Sequence, residues 1–317
     1  KLIPIGGTIV DEKPSLTYQS QVQTYGWLDT VGEGIISGTT GQSKRLETLK
    51  INLTNPDGNG DIIYRAHVQG IGWQDYVSSG GTTGTEGQSK RLEAIQINLT
   101  GKLADLYDVY YRIHVQKYGW SGWAKNGATA GTMGICARTE AMQITLVSKG
   151  QAAPGSTANA CRTLDSVGGY SIEVNKEACC VTVYAGLIPV KAMICSPGTG
   201  TPTGTFSTTD KYRWRALVGG VQGQFCTRIV RNILFHSVPY SSANNRALLT
   251  EEYNKLGTQA SHGCIRLTVE DCKWLYDNCP SGTTVVIYNS SNPGPLGRPG
   301  SAILPAGQTW DPTDPTL

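Results

Sequence analysis

The 317-residue sequence is poor in charge and has no long apolar run. Charged residues make up 16% of the chain, against about 25% in an average protein. The net charge is only +3 and no run of Lys or Arg exceeds two residues, so we expect no nucleic-acid partner. No apolar stretch approaches the roughly 20 residues of a membrane helix, so we also expect no membrane span. The 39 glycines favour turn-rich β structure over long helices.

The nine cysteines lack the spacing of a metal site. The most closely spaced pair, Cys179 and Cys180, is adjacent, and no Cys-x2-Cys motif occurs, so we expect no metal and no other cofactor. If one thiol stays free, eight remain for disulfides, which is typical of an oxidising, extracytoplasmic compartment. We take Cys195 with Cys226 as the best candidate disulfide. Because the chain starts with Lys1, we expect that a signal peptide or flanking segment has been removed.

Three repeats occupy the first half of the sequence. The segments YQSQVQTYGW (18–27), YRAHVQGIGW (64–73) and YRIHVQKYGW (111–120) align without gaps. Each is followed by a second conserved block that begins GQSKRLE in the first two copies and has diverged to GICARTE in the third. Apolar and polar residues alternate along these blocks, which predicts half-buried strands. We expect the three units to close around a pseudo-threefold axis into a β-prism or trefoil-like domain.

Aromatic and imidazole side chains recur at fixed positions of the repeats. Trp27, Trp73 and Trp120 fill equivalent core positions in one interpretation and form exposed stacking platforms for sugars in the other. His67 and His114 have no acidic or cysteine partner at metal-ligand spacing. We interpret both as surface or hydrogen-bonded histidines with no role in chemistry.

Composition suggests two domains, a linker and a tail. We place the repeat domain at 1–149, with units at about 15–60, 61–106 and 107–148, followed by a small, polar linker at 150–166. A second β domain is predicted at 167–290, and a tail rich in Pro and Gly at 291–317. We expect 1–149 to fold alone, and 164–290 to carry any chemistry.

The second domain is predicted to be mainly strands with two helices. Its strands are YSIEVN, CCVTVYA, IPVKAMIC, RIVRNILFHSV and TTVVIYN, and TPTGTF (201–206) is a turn that enters a strand. A helix at 268–278 begins with Thr268 as its N-cap and Asp271 three residues later. A second helix at 249–257 ends at Gly257.

One stretch of this domain, ASHGCIRL (260–267), carries a candidate nucleophile. Cys264 follows a glycine and lies close in sequence to His262 and Arg266, and neighbouring cations lower a thiol pKa from about 8.5. The cysteine is a nucleophile, a metal ligand or half of a disulfide. A nucleophilic thiol needs an imidazole as base, and His236, at the end of an apolar strand, is the second candidate besides His262.

These residues resemble the signature of the L,D-transpeptidases, the YkuD-like family. The match lies in FHS (235–237), SHGCIRL (261–267) and TPTGTF, and the first-half repeats resemble the clostridial hydrophobic, or ChW, repeat. The resemblance implies a β-sandwich in which Cys264 is the nucleophile and His236 is the base and acid. It also implies that the Ser237 carbonyl orients the imidazole and that Arg266 supports the site. The oxyanion and substrate site would be formed by Ser261, His262, Gly263 and the Cys264 amide.

The chain departs from the family pattern in the 24 residues between His236 and Ser261. This spacing is longer than usual, and we expect the extra segment to form a lid.

The resemblance implies acyl transfer on peptidoglycan stem peptides. Cys264 attacks the bond between the third-position diamino acid and D-Ala of a tetrapeptide, and an amine then resolves the thioester to a 3→3 cross-link.

Two other functions remain open. One is an L,D-carboxypeptidase or cysteine hydrolase of wall peptides, and the other is a non-catalytic adhesion or wall-binding protein that acts through its repeats. The expected partners of the repeats are wall glycans or surface proteins. The expected location is the secreted or wall fraction of a Gram-positive bacterium.

Overall fold

The chain divides into two compact units between Thr163 and Leu164. The computed structural model describes residues 13–55 and 58–317. Most regular structure in these residues is β-strand, which confirms the mainly β fold predicted from the sequence. None of the helices in this part of the chain is long and apolar enough to span a membrane.

Each repeat of the first unit contributes five strands. The first repeat has β1 (Ser15–Val22), β2 (Gly26–Trp27), β3 (Val31–Gly32), β4 (Ser37–Gly38) and β5 (Leu46–Thr54). The second has β6 (Ile62–Val68), β7 (Gly72–Trp73), β8 (Val77–Ser78), β9 (Thr82–Gly84) and β10 (Leu92–Leu99), and the helix α1 (Gly101–Leu106) follows it. The third has β11 (Tyr107–Val115), β12 (Gly119–Trp120), β13 (Ala124–Lys125), β14 (Ala130–Met133) and β15 (Thr139–Ser148).

The repeats exchange their fourth strands in a closed cycle. Strand β4 of the first repeat pairs with β15 of the third, β9 of the second with β5 of the first, and β14 of the third with β10 of the second. Every repeat therefore completes its sheet with a strand from another repeat. This exchange agrees with a pseudo-threefold arrangement, and the β-prism or trefoil type stays a prediction.

Glycine is required where each exchanged strand pairs with its partner strand. Gly38, Gly84 and Gly131 have φ values of 119°, 109° and 128°. A Cβ atom at these positions would come within 2.5, 2.3 and 2.4 Å of a backbone oxygen of the partner strand. Since a side chain fits neither the backbone conformation nor the space, the three equivalent glycines allow the close approach that closes the cycle.

Buried tyrosines tie each repeat to its neighbour. The hydroxyl of Tyr18 accepts a hydrogen bond from the amide of Ile144 at 3.1 Å, and that of Tyr64 accepts one from the amide of Ile51 at 2.9 Å. Burial raises the pKa of both hydroxyls to about 12. Each tyrosine therefore stays neutral and serves as a buried polar link between repeats.

The repeat histidines have acidic partners that the sequence spacing did not reveal. His114 Nδ1 lies 3.0 Å from Glu140 Oε2, and His67 Nδ1 lies 3.1 Å from Glu93 Oε2. Both pairs form across neighbouring strands. The His114 contact is a hydrogen bond and agrees with the interpretation of that residue, whereas His67 Nδ1 approaches Glu93 without forming a hydrogen bond.

The repeat tryptophans match neither interpretation fully. Trp27, Trp73 and Trp120 are half-buried. The guanidinium carbon of Arg65 lies 4.9 Å from the centre of the Trp73 ring, and that of Arg112 lies 4.7 Å from Trp120. An arginine therefore already stacks on these two rings.

The segment expected as a linker packs on the first unit. Strand β16 (Cys161–Thr163) pairs in parallel with β14. The amide of Trp123 donates to the Ser156 carbonyl at 2.9 Å. Small, polar composition alone did not reveal these contacts, because they are made by the backbone.

The second unit contains nine strands, two α-helices and a short 3-10 helix at Asp165–Val167. Its strands are β17 (Tyr170–Asn175), β18 (Cys180–Ala185), β19 (Ile188–Ile194), β20 (Gly204–Ser207), β21 (Lys211–Ala216), β22 (Gln222–Val230), β23 (Ile233–Ser237), β24 (Ile265–Leu267) and β25 (Thr284–Tyr288). Its α-helices are α2 (Thr250–Tyr253) and α3 (Val269–Asn278).

Two sheets of this unit share one core. The strand orders are β19-β18-β17-β25-β20 and β21-β22-β23-β24. Val174 and Val183 of the first sheet join Phe235 and Leu267 of the second in a single buried cluster. Helix α3 packs on β22 and β23, so the second sheet has a rigid support on which a site can be built.

Two local predictions need correction and one is confirmed. The stretch RIVRNILFHSV was predicted as one strand, but it forms a hairpin, with β22 and β23 separated by Arg231 in a left-handed conformation (φ 50°). The helix predicted at 249–257 is only α2, followed by turns. Helix α3 begins as predicted, with the Thr268 hydroxyl accepting from the amide of Asp271 at 3.3 Å.

The C-terminal tail is an integral part of the second unit. The Asp311 carboxylate is buried and accepts a hydrogen bond from the amide of Val269, at the start of α3, at 2.9 Å. Asp314 accepts one from Gln224 Nε2 at 3.1 Å. A fragment that ends at residue 290 loses these contacts, so we revise the expected catalytic fragment to 164–317.

We predict that Asp311→Ala destabilises α3 in the full chain. Removing this capping acceptor leaves a helix amide without its partner and costs about 1 kcal/mol, which corresponds to a roughly fivefold faster hydrogen exchange of the α3 amides. The control is Asp277→Ala, which removes only the exposed pair with Lys273 on the same helix. Equal exchange in the two variants, measured by mass spectrometry, would show that the tail does not cap this helix.

Candidate active site

Two parallel strands bring the histidine and the cysteine into one cleft. Strand β23 pairs with β24 so that His236 lies opposite Arg266, and Cys264 immediately precedes β24. His236 and Cys264 both line a cleft of about 290 Å³. Four other candidates from the sequence also line it, namely Ser261, His262, Gly263 and Arg266.

The loop that carries Cys264 is held from outside by residues 198–201. Thr201 Oγ1 donates to the Gly263 carbonyl at 2.7 Å and accepts from the Gly198 amide at 2.8 Å. A Cβ atom on Gly198 would lie 2.2 Å from the Ser261 carbonyl oxygen. The TPTGTF motif therefore contributes its first threonine to positioning the nucleophile loop, a role that the turn prediction did not include.

Inside this loop the Ser261 hydroxyl both donates and accepts a hydrogen bond. It donates to the Cys264 carbonyl at 2.5 Å and accepts from the Gly263 amide at 3.2 Å. The Gly263 amide, expected to face the substrate oxyanion, is thus bonded within the loop. The His262 side chain is exposed.

His236 is buried with a defined tautomer. Its Nδ1 lies 2.6 Å from the Ser237 carbonyl oxygen, and because a carbonyl can only accept, Nδ1 carries the proton and Nε2 has the free lone pair. Burial lowers the pKa of His236 to about 4; the Ser237 hydrogen bond opposes this shift and the charge of Arg266 adds to it. The imidazole is therefore neutral at pH 7 and able to accept a proton.

The Cys264 thiol is protonated in the free protein. Burial raises its pKa, and the opposing effects of the Leu234 amide and the Arg266 charge are smaller. The thiol donates to the Asn232 carbonyl at 3.4 Å. The expectation that neighbouring cations lower this pKa was wrong in its net direction, because desolvation outweighs them.

Ser237 also fixes the strand beneath the imidazole. Its hydroxyl accepts from the Gln224 amide at 2.9 Å and donates to the Val238 carbonyl at 2.9 Å. Phe225, next to Gln224, has a left-handed backbone conformation (φ 44°). The side chain of Ser237 thus satisfies a backbone amide where the regular ladder is interrupted.

Arg266 has an acidic partner in the segment expected to be a lid. Its Nη1 donates to the Glu252 carboxylate, and its backbone pairs with Ser196. Tyr240 and Tyr253 anchor this segment in the core with 0% and 1% exposure, and its role as a lid stays a prediction. Glu252 was missed from the sequence since nothing local links it to Arg266.

All nine cysteines lie in the described residues and all are free, so the disulfide expected between Cys195 and Cys226 is not formed. Cys195 lies next to Cys179, whose carbonyl accepts a hydrogen bond from the Cys195 amide at 3.0 Å. Cys226 lies near Cys264: its pKa is raised mainly by burial and further by Cys264. The two cysteines therefore have different neighbours.

A buried neutral histidine and a protonated cysteine in one cleft are the features of a cysteine-dependent acyltransferase-type enzyme. The chain contains an L,D-transpeptidase catalytic domain, since the YkuD family model matches residues 169–287. It also contains three Clostridial hydrophobic W repeats, which match residues 21–55, 67–101 and 114–148. Both resemblances inferred from the sequence are thereby confirmed.

One curated relative is similar to a part of the chain. The Bacillus subtilis (strain 168) protein named "Putative L,D-transpeptidase YciB" is 36% identical over 126 residues, which are 37% of this chain and 64% of the relative. The match therefore spans less than two thirds of that protein.

Solved L,D-transpeptidases are more distant. The one from Stackebrandtia nassauensis is 18% identical, with 42% of this chain and 58% of that chain covered and a TM-score of 0.31. The one from Mycobacterium smegmatis is 16% identical, with 62% and 90% covered and a TM-score of 0.32.

We predict that Glu252→Gln destabilises the second unit. The guanidinium of Arg266 is mostly buried and would lose its ionised acceptor, at a cost of about 1.5–3 kcal/mol. Glu251→Gln, at an exposed position of the same helix, is the matched control and should change stability by less than about 0.5 kcal/mol. Thermal unfolding of the two variants measures the difference, and equal melting temperatures would contradict the assigned pair.

Proposed function

We propose that the second unit is a peptidoglycan L,D-transpeptidase with Cys264 as nucleophile. The observation that carries the proposal is the neutral His236, whose free Nε2 shares a cleft with the protonated Cys264 thiol. A thiol with a raised pKa needs a base at the moment of attack, and a buried neutral imidazole is suited to that task.

In the first step, Cys264 Sγ attacks the carbonyl of the third-position diamino acid of a tetrapeptide stem. His236 Nε2 takes the thiol proton as the S–C bond forms. The C–N bond to D-Ala then breaks, and the imidazolium returns the proton to the leaving amine. D-Ala departs and a thioester remains on Cys264. The Ser237 carbonyl keeps the proton on Nδ1, so that Nε2 performs both transfers.

We assign the oxyanion to the Cys264 amide, with His262 at the same end of the cleft. The Gly263 amide is bonded to the Ser261 hydroxyl, so we assign Ser261 and Gly263 to holding the loop. Arg266, held in place by its ion pair with Glu252, supports the site. Each preorganised donor to the oxyanion is worth about 10²–10³ in rate.

In the second step, a side-chain amine of another stem attacks the thioester. The amine loses a proton to His236, the C–S bond breaks, and the proton returns to the thiolate as the 3→3 cross-link forms. Water in place of the amine would make the protein an L,D-carboxypeptidase. We place the enzyme at the extracellular face of a Gram-positive wall, with the repeats binding wall glycans or surface proteins.

Product masses distinguish these reactions. Incubating the full chain with a disaccharide-tetrapeptide should release D-Ala and give a cross-linked dimer. Tripeptide with no dimer would indicate a hydrolase. If Cys264 formed no thioester and no D-Ala appeared, the proposed function would be wrong and a purely wall-binding protein would remain.

We predict different effects for the two histidines. Cys264→Ala should abolish acylation, and His236→Ala should lower its rate by roughly 10²–10⁴, the usual worth of a positioned general base. His262→Gln, at an exposed position, should alter the pH profile less than His236→Ala does. Acylation by a β-lactam, followed by mass spectrometry, measures all three. An unchanged rate and profile in His236→Ala, with a shifted profile in His262→Gln, would reverse the two roles.

We also predict that the acylation rate declines only at unusually low pH. His236 accepts a proton only in its neutral form, and burial lowers its pKa to about 4. The rate should therefore hold from pH 7 down to about pH 5 and fall below that. Circular dichroism at each pH controls for unfolding. A decline in rate centred near the ordinary histidine pKa would show that a different, solvated group is the base.

A further inference from the structure

Three arginines line the catalytic cleft, and two of them are neutralised by carboxylates. Arg266 pairs with Glu252, and Arg228 Nε lies 2.9 Å from Asp210 Oδ2. The third is Arg215. It has no ion pair with any acidic group among residues 13–55 and 58–317, and its guanidinium lies over the ring of Tyr212, with Cζ 4.5 Å from the ring centre.

The strand register places Arg215 on the same face of the sheet as His236. Arg215 on β21 lies directly opposite Gly223 on β22, and residues directly opposite each other in an antiparallel pair project from the same face. A Cβ atom on Gly223 would lie 3.1 Å from His236 Cβ and 3.2 Å from Cys226 Sγ. Arg215 therefore emerges on the face that carries His236.

The charge of Arg215 reaches Cys226, which lies beneath the face that carries Gly223. Burial raises the pKa of Cys226 to about 12, and the Arg215 guanidinium opposes that shift. Arg215 is half-buried, so it is accessible from the cleft yet screened less than a fully solvated side chain. A planar cation of this kind suits a carboxylate, which it can bind through two hydrogen bonds.

We propose that Arg215 binds the terminal carboxylate of the acyl donor and so selects donors that end one residue after the scissile bond. This inference rests on the proposed function. In a tetrapeptide the carboxylate of D-Ala is separated from the scissile nitrogen by a single carbon atom, so it enters the cleft together with the reacting carbonyl. A stem extended by one residue presents a neutral amide there and leaves Arg215 without an anion.

The test compares two donors, a tetrapeptide with a free terminal carboxylate and its C-terminal amide. The wild-type enzyme should prefer the free acid by roughly 10- to 100-fold in kcat/KM, the range for a hydrogen bond to a charged group. In Arg215→Gln the free acid should lose most of this advantage, chiefly through KM, while the amide is little affected. Arg215→Lys should restore part of the preference, because it keeps the charge but not the paired geometry.

Arg246→Gln is the matched control, since it removes one positive charge from an exposed position outside the cleft, and it should keep the wild-type preference. Thermal unfolding verifies that the variants are folded. An equal loss for both donors in Arg215→Gln, or an unchanged preference, would overturn the role of Arg215. If the wild-type enzyme released no D-Ala from either donor, the proposed function itself would fail, which is a different result.

Discussion

The site depends on the parallel pairing of β23 with β24. This pairing places His236 opposite Arg266 and brings Cys264 to the end of the same pair of strands. Since side chains alternate between faces, a shift of one residue would turn His236 away from the cleft. The Ser196 backbone holds the other side of β24, and Thr201 holds the loop before it. Each of these contacts fixes the register on which the meeting of thiol and imidazole depends.

Burial decides the charge state of this pair. A solvated cysteine beside cations would exist partly as thiolate, but desolvation keeps Cys264 protonated and His236 neutral. Removing water disfavours both charged forms, so a thiolate and an imidazolium together are costly until a substrate arrives. The same dry surroundings strengthen the donors that face a developing oxyanion. The free enzyme is thus held in its uncharged form, and charge separates only during attack.

Local sequence patterns predicted the parts of the molecule that depend on neighbours in the chain. Alternation predicted most strands, the 46- and 47-residue spacing of the tryptophans predicted the repeats, and Thr268 marked the start of α3. The missed features are long-range. Glu252 meets Arg266, Asp311 meets Val269, and the strands exchanged between repeats meet only after folding. The thiol pKa was misjudged for the same reason, since desolvation depends on the packed fold and not on adjacent residues.

Burial explains why Arg266 has a carboxylate partner within the described part of the chain and Arg215 has none. Arg266 is 9% exposed, and a cation so enclosed requires a carboxylate, which Glu252 provides. Arg215 is more accessible and is supported by an aromatic ring, so it can remain without an anion at tolerable cost. A carboxylate supplied by the protein at that position would repel an anionic substrate and cancel the field in the cleft. The two arginines therefore have opposite tasks: the paired one stabilises the scaffold, and the unpaired one leaves the cleft positive for a ligand that brings its own negative charge.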